Sequence, residues 1–321
     1  MKTKSMIAII LSFAFVSMAV GVMAADMGPI ISNGTGTATV NNAGPSITAT
    51  AIKDGGAWVG SINVNIEYDF YVNVSDANFL DDISQVTLEM WVDGKETANN
   101  PNYRYKFIYV ETTPIDGVFG GTWTQLYPTP GTTYINIVTS ATPAATNVAA
   151  GSYVFVVKVE KSAQALSWKY NATVTDSSGV KATSAFKFFN IYKYIEMSYD
   201  TDGLGSQNFA WTGLPGSQNV PDTFDVTVTS NSAYTMSAAY QNRFYNAISE
   251  ENWANEPSLE VDYTGSLRQT LGNMTYVSWR TFSVSGGVIG QTTSHTLYLD
   301  FETVLRNQVY TGVTIYIRAS V

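Results

Sequence analysis

Alternation of apolar and polar residues with a period of two recurs along this chain and sets its fold class. In "GSYVFVVKVE", Tyr153, Phe155 and Val157 fall on one face of an extended strand and Lys158 on the other. Successive side chains of a strand point to opposite faces, so this pattern indicates a strand with one buried face. Similar runs recur from Ser46 onward, broken by turn residues and without long helical periodicity. The sequence therefore predicts an all-β protein built of antiparallel β-sandwiches.

The positions of the strands suggest two sandwiches in tandem. Expected strands lie near residues 46–53, 64–74, 85–93, 103–110, 133–138, 152–160, 166–175, 183–191, 223–230, 234–240, 258–264, 274–285, 294–303 and 311–320. A tight turn at 176–179 predicts a hairpin, and 247–257 is the one place where a short helix is expected. A loop-rich stretch begins soon after Tyr194. We therefore expect one sandwich over residues 46–195 and a second over 196–321.

The N-terminus predicts secretion. Two lysines in "MKTK" precede an apolar run from Met6 to about Val22, and small residues follow, which is typical of a signal peptide over residues 1–25. The alternatives are a retained signal anchor and a pilin-type leader cut between Ser5 and Met6. No second apolar stretch of spanning length follows. The mature protein is expected to lie outside the cell, at its surface, without a membrane span.

The charge balance and the absence of cysteine exclude several functions. The chain has 17 basic and 26 acidic residues, and removing Lys2 and Lys4 leaves 15 against 26. Such a surface repels nucleic acid and anionic lipid, so neither is an expected partner. Without cysteine, thiol catalysis, cysteine-ligated metal and disulfides are excluded. Only 13% of the residues are charged, about half of the usual share, so the polar surface consists of uncharged groups.

Residues 26–45 are rich in Gly, Asn, Thr and Ala and nearly free of charge. One interpretation is a flexible spacer. The other is that "PIIS" and "TATV" are short strands that pair with a sheet edge of another subunit.

Two longer stretches resemble a known class of module. "YDFYVNVSDANFLDDISQVTLEMWVDG" and "WKYNATVTDSSGVKATSAF" are similar to the Ig-like β-sandwich modules of secreted prokaryotic, particularly archaeal, surface proteins. "DTFDVTVTSNSAYTMSA" and the terminal "YTGVTIYIRASV" resemble β-sandwich subunits of surface layers and fibres. The resemblance implies tandem Ig-like or jelly-roll-like sandwiches at the cell surface. It transfers no functional residue.

Acidic clusters are the first candidate sites. Four oxygen-bearing side chains crowd into seven residues: Asp76, Asn78, Asp81 and Asp82. They are candidate calcium ligands, because calcium takes six to eight oxygens. Alternatively Asp76 and Asn78 form Asx turns, and Asp81 or Asp82 caps a short turn before Ile83. Asp200 and Asp202 in "YDTDG" are a second candidate cation site. Calcium is the one cofactor considered.

Catalysis is not expected. The only histidine, His295, alternates with Leu297 and Leu299, so it is expected to face inward and to be hydrogen-bonded. No nucleophile motif surrounds it, and one histidine without cysteine is a poor basis for a zinc site. Adjacent acids such as Asp81 and Asp82 point in different directions on an extended chain, unlike a glycosidase pair. We therefore assign no catalytic residue.

Aromatic residues and glycosylation sequons are the remaining signals. The chain has 7 Trp, 20 Tyr and 15 Phe. Trp91 lies on the outer face of its strand, and three more lie in or near loops: Trp58, Trp123 and Trp253. Such rings stack on sugars or fill cores and subunit contacts. Sequons that permit glycosylation occur at Asn33, Asn73, Asn171 and Asn273.

These observations predict a non-enzymatic extracellular structural subunit of a surface layer, sheath or fibre. We expect it to associate with itself or with other surface proteins. In one form of the hypothesis, the subunits assemble by β-strand pairing. The alternative is a secreted adhesin or a module that binds a glycan or a protein.

Overall fold

The computed structural model describes residues 42–112, 118–129, 131–201, 208–242, 245–246, 251–252, 258–262, 268–273, 279–285, 288–301 and 313–321. Within these ranges the protein is all-β, as predicted, with one short 3-10 turn at Leu80–Asp82. None of the described residues forms a helix that is long and apolar enough to cross a bilayer. The predicted signal peptide with its two alternatives, and residues 26–41 of the N-terminal segment, lie outside the described ranges.

The first half of the chain forms eleven strands: β1 (Ser46–Asp54), β2 (Ala57–Trp58), β3 (Ser61–Ile62), β4 (Glu67–Ser75), β5 (Ile83–Val92), β6 (Arg104–Val110), β7 (Thr122–Tyr127), β8 (Ala150–Lys158), β9 (Ser167–Asp176), β10 (Lys181–Thr183) and β11 (Lys187–Ile191). One sheet has the order β2-β1-β4-β8, and the other has the order β3-β11-β9-β5-β6-β7 with β10 also beside β9. Pairing is antiparallel except between β3 and β11. The run β11-β9-β5-β6-β7 follows the G-F-C-C′-C″ order of a variable-type immunoglobulin sheet.

These two sheets enclose one aromatic-rich core. The strand alternation places Phe70, Val72 and Val74 of β4 inside, each at most 1% exposed. The ring of Phe70 meets Tyr170 and Phe189 of the opposite sheet edge-on, with centroids 5.8 Å and 6.0 Å apart. Burying one such side chain contributes about 1.5–3 kcal/mol, so the core is a large share of the stability.

The second half of the chain forms eleven more strands in the described residues: β12 (Ile195–Asp200), β13 (Val220–Ser230), β14 (Tyr234–Gln241), β15 (Tyr245–Asn246), β16 (Glu251–Asn252), β17 (Ser258–Asp262), β18 (Arg268–Thr270), β19 (Gly272–Asn273), β20 (Arg280–Ser285), β21 (Val288–Asp300) and β22 (Thr314–Ser320). One sheet has the order β12-β13-β21-β17-β18. In the other, β14 pairs with β22 along one side and with β20 and β19 along the other.

The second pair of sheets has its own apolar cluster, built around Phe224, Val226, Leu297 and Leu299. The first cluster draws its buried residues from Ile52 to Ile191. Residues 42–321 nevertheless form a single compact unit. The division into two domains at residue 195 therefore stays a prediction.

Several expected elements differ from the structure. Residues 133–138 form no strand and touch β8 through an isolated bridge at Ile135. Strand β7 was not predicted, because each face of a strand over "GTWTQLY" carries both polar and apolar side chains, so no alternation is visible. The expected strand 183–191 is split into β10 and β11. Where the structure describes the expected helix 247–257, it shows the short strand β16 instead.

The outer edge of β8 is covered by the chain that precedes it. Val154 and Ala141 exchange two backbone hydrogen bonds, of 2.7 Å and 3.0 Å. The N–H of Asn136 donates to the carbonyl of Val156 at 2.8 Å, and the N–H of Lys158 donates to the carbonyl of Tyr134 at 2.8 Å. The irregular segment 134–141 thus saturates an edge that would otherwise carry free backbone groups.

Candidate functional site

The acidic loop after β4 is fastened by its backbone. The N–H groups of Leu80 and Asp81 donate to the carbonyls of Val148 and Thr146, at 2.9 Å and 3.0 Å. Those carbonyls lie in the segment that leads directly into β8. The loop is therefore held against the neighbouring strand without help from its carboxylates.

The side chains of the loop make turns and contacts rather than a shell of free oxygens. Asp76 accepts a hydrogen bond from the N–H of Asn78 at 2.8 Å, which confirms the expected Asx turn at Asp76. Asn78 uses its own oxygen to accept from the N–H of Ala43, at 2.8 Å. The expected cap by Asp81 or Asp82 is wrong, because the 3-10 turn has no side-chain cap. Asp82 instead accepts a hydrogen bond from the hydroxyl of Ser177.

Asp176 belongs to the same cluster, although the sequence pattern indicated only a turn residue there. It is 1% exposed. Its carboxylate accepts from the N–H of Val180 and from the side-chain amide of Asn42, both at 2.7 Å. The hairpin turn 176–179 and the acidic loop therefore meet at one end of the first sandwich. The 134-residue separation of Asn42 and Asp176 hid this contact from sequence analysis.

The cluster carries uncompensated negative charge. Asp76 is 3% exposed, and its Oδ2 atom has no hydrogen-bond partner. Burial raises the pKa of Asp76, and the nearby carboxylates of Asp82, Asp176 and Asp81 raise it further against the lowering effect of the Asn78 N–H. The groups that shift the pKa of Asp76 include no lysine or arginine that would offset these negative charges.

The predicted cation sites stay predictions. Across the residues that the structure describes, no three His, Cys, Asp or Glu side chains are grouped so that they alone could hold a metal ion. A calcium ion near Asp76 would therefore draw most ligands from backbone carbonyls, amide oxygens and water. Asp200 ends β12, opposite Asp225 of β13, and Asp202 lies outside the described ranges.

The start of the described chain is docked on this cluster. Asn42 and Ala43 bind Asp176 and Asn78, and Gly44 lies against Val180 so closely that a Cβ there would come within 2.6 Å of a side-chain carbon. Residues 42–45 therefore belong to the first sandwich. The expectation that all of 26–45 is a spacer or a donated strand is wrong for these last four residues.

His295 packs against the core of the second half of the chain and is hydrogen-bonded. Its Nε2 lies 3.0 Å from the hydroxyl of Thr293, and its Nδ1 lies 3.5 Å from the carboxylate of Asp262. Its ring packs 5.5 Å from Phe224, which is a core residue. The prediction of an inward-facing, hydrogen-bonded histidine is confirmed. Burial raises the pKa of Asp262, but the hydrogen bonds from His295 and the Thr296 N–H outweigh it and leave this pKa lowered.

The sequons lie in different settings. Asn73 is on the outer face of β4 and accepts a hydrogen bond from the Ser152 hydroxyl at 2.7 Å. Asn171 is on the outer face of β9, and Asn273 lies in β19. Asn33 lies outside the described ranges.

The tryptophans divide between core and surface. Trp58 is 67% exposed, with the Lys53 ammonium 4.7 Å from its ring centre. Trp123 lies in β7 rather than in a loop and packs edge-on against Phe155 at 4.8 Å. Trp253 lies outside the described ranges. Among the tryptophans that the structure describes, only Trp58 has the exposure that a sugar-stacking ring needs.

Trp91 is on the predicted outer face but is 6% exposed, because Phe186 stands edge-on over it at 5.5 Å. Phe186 begins a row of exposed apolar side chains that sequence analysis missed. The row, called here the aromatic stripe, is formed by Phe186, Phe188 and Tyr192. Its sequence signal was the run "FKFFNIY", in which both faces of a strand are apolar.

Asn231 joins the two halves of the chain. It is 3% exposed and lies in the turn between β13 and β14. Its side-chain N–H groups donate to the carbonyls of Ala163 and Tyr192 at 3.0 Å and 2.9 Å, and its oxygen accepts from the Tyr194 N–H at 2.8 Å. Its carbonyl accepts from Ala165 at 3.1 Å. One amide thus ties a turn of the second half to a loop of the first half and to the connecting segment.

An ion pair supports the same junction from outside. The Lys161 ammonium lies 2.9 Å from the Glu196 carboxylate, and Tyr194 donates its hydroxyl to that carboxylate at 2.5 Å. All three groups are solvent-exposed, so their contribution to stability is small. The buried amide of Asn231 is the main fastening.

No known protein family and no curated protein matches the chain. Similar solved structures include one described as "BspA_C_mut", 10% identical over 86% of this chain and 98% of that one, with a TM-score of 0.26. Another is the CsuC-CsuE chaperone–tip adhesion subunit complex of Csu pili from Acinetobacter baumannii, 11% identical over 81% and 97%, with a TM-score of 0.28. A DUF4466 family protein from Parabacteroides merdae is 11% identical over 78% and 98%, with a TM-score of 0.23. Likenesses this distant say nothing about function.

Proposed function

We propose that this protein is a non-enzymatic structural subunit of the cell exterior, a component of a surface layer, sheath or fibre. The observation that carries the proposal is the junction at Asn231, which fastens the two sandwich-like halves through a fully hydrogen-bonded buried amide. A catalytic or switching protein gains from relative movement of its halves, whereas a building element gains from rigidity.

Other observations support an extracellular setting. The chain has no cysteine, carries a net charge of −9 and has a signal-peptide pattern at its N-terminus. Its carboxylates are often satisfied by tyrosine hydroxyls rather than by lysine, as in Tyr109 with Glu111 and Tyr134 with Glu160. Such neutral donors keep their state between acid pH and about pH 10, which suits a surface whose medium the cell does not buffer.

Strand pairing between subunits is one way in which the proposed assembly forms. Strand β7 pairs with β6 on one side, and no described strand pairs with its other side. Residues 26–41 precede the docked residues 42–45 and are almost free of charge, so they are suited to lie along a free edge. This form of the proposal names β7 as the acceptor and residues 26–41 as the donor.

The proposal is tested on native cell-envelope material and on two truncations of the secreted chain. Electron microscopy of the native material is expected to show dense repeating assemblies that contain this protein. Deleting residues 26–41 is expected to weaken assembly and leave the fold intact, whereas deleting 26–44 also removes the contacts of Asn42 and Ala43 and lowers the melting temperature. Native-looking arrays from the shorter truncation would end the strand-donation form. Native material without any assembly would end the structural proposal itself.

The second candidate function is glycan binding by a secreted adhesin, favoured by the exposed ring of Trp58 beside Lys53 and Tyr71. Retention of the soluble monomer on an immobilised polysaccharide, lost in a Trp58→Ala variant, would support this alternative. Equal elution of both proteins in the void volume would remove it.

A further inference from the structure

The aromatic stripe is unusual for a protein surface. Phe186 is 56% exposed, Phe188 63% and Tyr192 56%. Single exposed apolar residues need no explanation, but three large ones along one face of a strand mark an interaction site. The row lies on the outer face of the six-strand run that contains β11, β9 and β5.

The strand fixes the side to which the stripe points. Phe189 and Ile191 of β11 are buried at 1% and 4%, so the alternation of the strand forces Phe188 to the outside. Phe186 rests on Trp91, which is itself buried. The ring of Phe186 therefore does not need to be ordered when a partner binds, and its share of the side-chain entropy cost is smaller.

The area of the stripe matches what a self-association interface needs. Aromatic side chains offer about 150–250 Å² each, so the exposed fractions of the three rings present roughly 350 Å² of mostly apolar surface. A standard interface covers about 800 Å² on each partner, of which somewhat more than half is apolar. The three rings thus supply most of the apolar centre of one side.

The charges around the stripe favour a second copy of this chain. Two copies of the mature chain, each with 15 basic and 26 acidic residues, repel one another wherever unpaired acids meet. On this outer face Asp93 is paired with Lys169 at 2.5 Å. Glu89 is paired with both Arg104 and Lys106, at 2.6 Å and 3.1 Å. Glu96 accepts a hydrogen bond from the indole N–H of Trp91 at 3.2 Å and is the third acid of this face. The three acids and the three bases balance, so two acidic molecules can meet here without net repulsion.

We infer that the aromatic stripe is the contact through which two copies of this chain associate face to face about a two-fold axis. In such an isologous contact each stripe packs against the other, and one kind of surface serves both partners. The inference rests on the proposed function, because it identifies one of the contacts of the assembly.

The test measures dimerisation of the secreted mature chain by sedimentation velocity over a range of protein concentrations. The test variant is Phe188→Ser with Tyr192→Ser, which leaves Phe186 over Trp91 and does not disturb the core. The matched control is Leu214→Ser, which removes a 77% exposed apolar side chain elsewhere. The stripe variant is expected to raise the dimer dissociation constant at least tenfold, and the control is expected to leave it unchanged.

A second variant guards against a folding defect. Phe188→Lys adds a like charge near the proposed two-fold axis, so it is expected to abolish the dimer while circular dichroism and the melting temperature stay as in the wild type. Unchanged dimerisation in both variants, or a wild-type chain that stays monomeric at the highest concentration, overturns the inference. So does loss of polysaccharide retention in the stripe variants with dimerisation intact, because the stripe would then bind a glycan.

The two proposals fail separately. If stripe variants still form native arrays, the stripe inference is wrong and the structural function stands. If the dimer forms through the stripe but native envelope material shows no assembly, the structural function is wrong and the dimer stands.

Discussion

Replacing Asn231 by alanine is expected to weaken the fastening between the two halves of the chain. The substitution leaves three backbone groups without their partner: the carbonyls of Ala163 and Tyr192 and the N–H of Tyr194. Asn231 is 3% and Ala163 is 0% exposed, whereas the bonds to Tyr192 and Tyr194 are only partly buried, so water can reach those two groups. An unsatisfied buried polar group costs about 1–3 kcal/mol, so with partial entry of water the total is about 3–4 kcal/mol.

The measurement is urea denaturation followed by tryptophan fluorescence, with the midpoint and the slope compared between variants. The matched control is Asn190→Ala, an exposed asparagine of β11 for which about 0.5 kcal/mol or less is expected. A lower slope or two transitions in Asn231→Ala would show that the halves have become uncoupled.

The reasoning is refuted if Asn231→Ala loses less than about 1 kcal/mol, which is the size of a single ordinary hydrogen bond. Asn231→Asp provides a second check. It keeps the acceptor for Tyr194 but turns a carboxylate toward two carbonyls, so its loss of stability is expected to be larger at pH 7 than at pH 3.

Three further outcomes are expected. Burial and the hydrogen bond to Glu160 raise the pKa of Tyr134 to about 12. This folded pKa lies above the unfolded one, so the stability that the neutral Tyr134 contributes is complete below about pH 10 and is lost as pH rises toward 12. A Tyr134→Phe variant, unfolded by alkali and followed by circular dichroism, should lack that part of the loss. Because the folded pKa of Asp76 is raised, its ionised form destabilises the fold above that pKa. In calcium-free buffer, Asp76→Asn should therefore unfold at a higher urea concentration than the wild type at pH 7 and at the same concentration near pH 3. Millimolar calcium should raise the wild-type melting temperature if the predicted site binds it. Gly121→Ala should lower the melting temperature by several degrees, because its Cβ would come within 2.3 Å of the Val110 carbonyl oxygen. The control Gly60→Ala, with open space around the new Cβ, should not lower it. Equal melting temperatures of the two variants would contradict this packing argument.

The local pattern of the sequence was enough for most of the strands. In β4, β5, β8 and β9 apolar residues alternate with polar ones, and the structure buries the alternating set. Residues 133–138 alternate equally well but form no regular strand, because they share only separate hydrogen bonds with β8 and no continuous ladder. The alternation predicts which face of a strand would be buried. It does not predict whether a neighbouring strand lies parallel to it closely enough to form a ladder.

The candidate site was predictable only within its local loop. The Asx turn at Asp76 follows from residues two apart, and it was found. The contribution of the hairpin turn with Asp176 and the docking of Asn42 depend on contacts between residues 95 and 134 positions apart, which no local pattern records. The aromatic stripe was missed for a different reason: an apolar run on both faces of a strand predicts deeper burial as readily as an exposed contact.

The covered edge of β8 has a consequence for how the protein survives at high concentration. A bare edge strand is a template that any other chain can extend, and crowded β-rich proteins fuse into fibrous aggregates by that route. Here Tyr134, Ala141 and the bonds between them and β8 close that route with the chain's own backbone. Growth by backbone pairing is therefore confined to the edges that remain open, which gives any assembly of this kind a built-in direction.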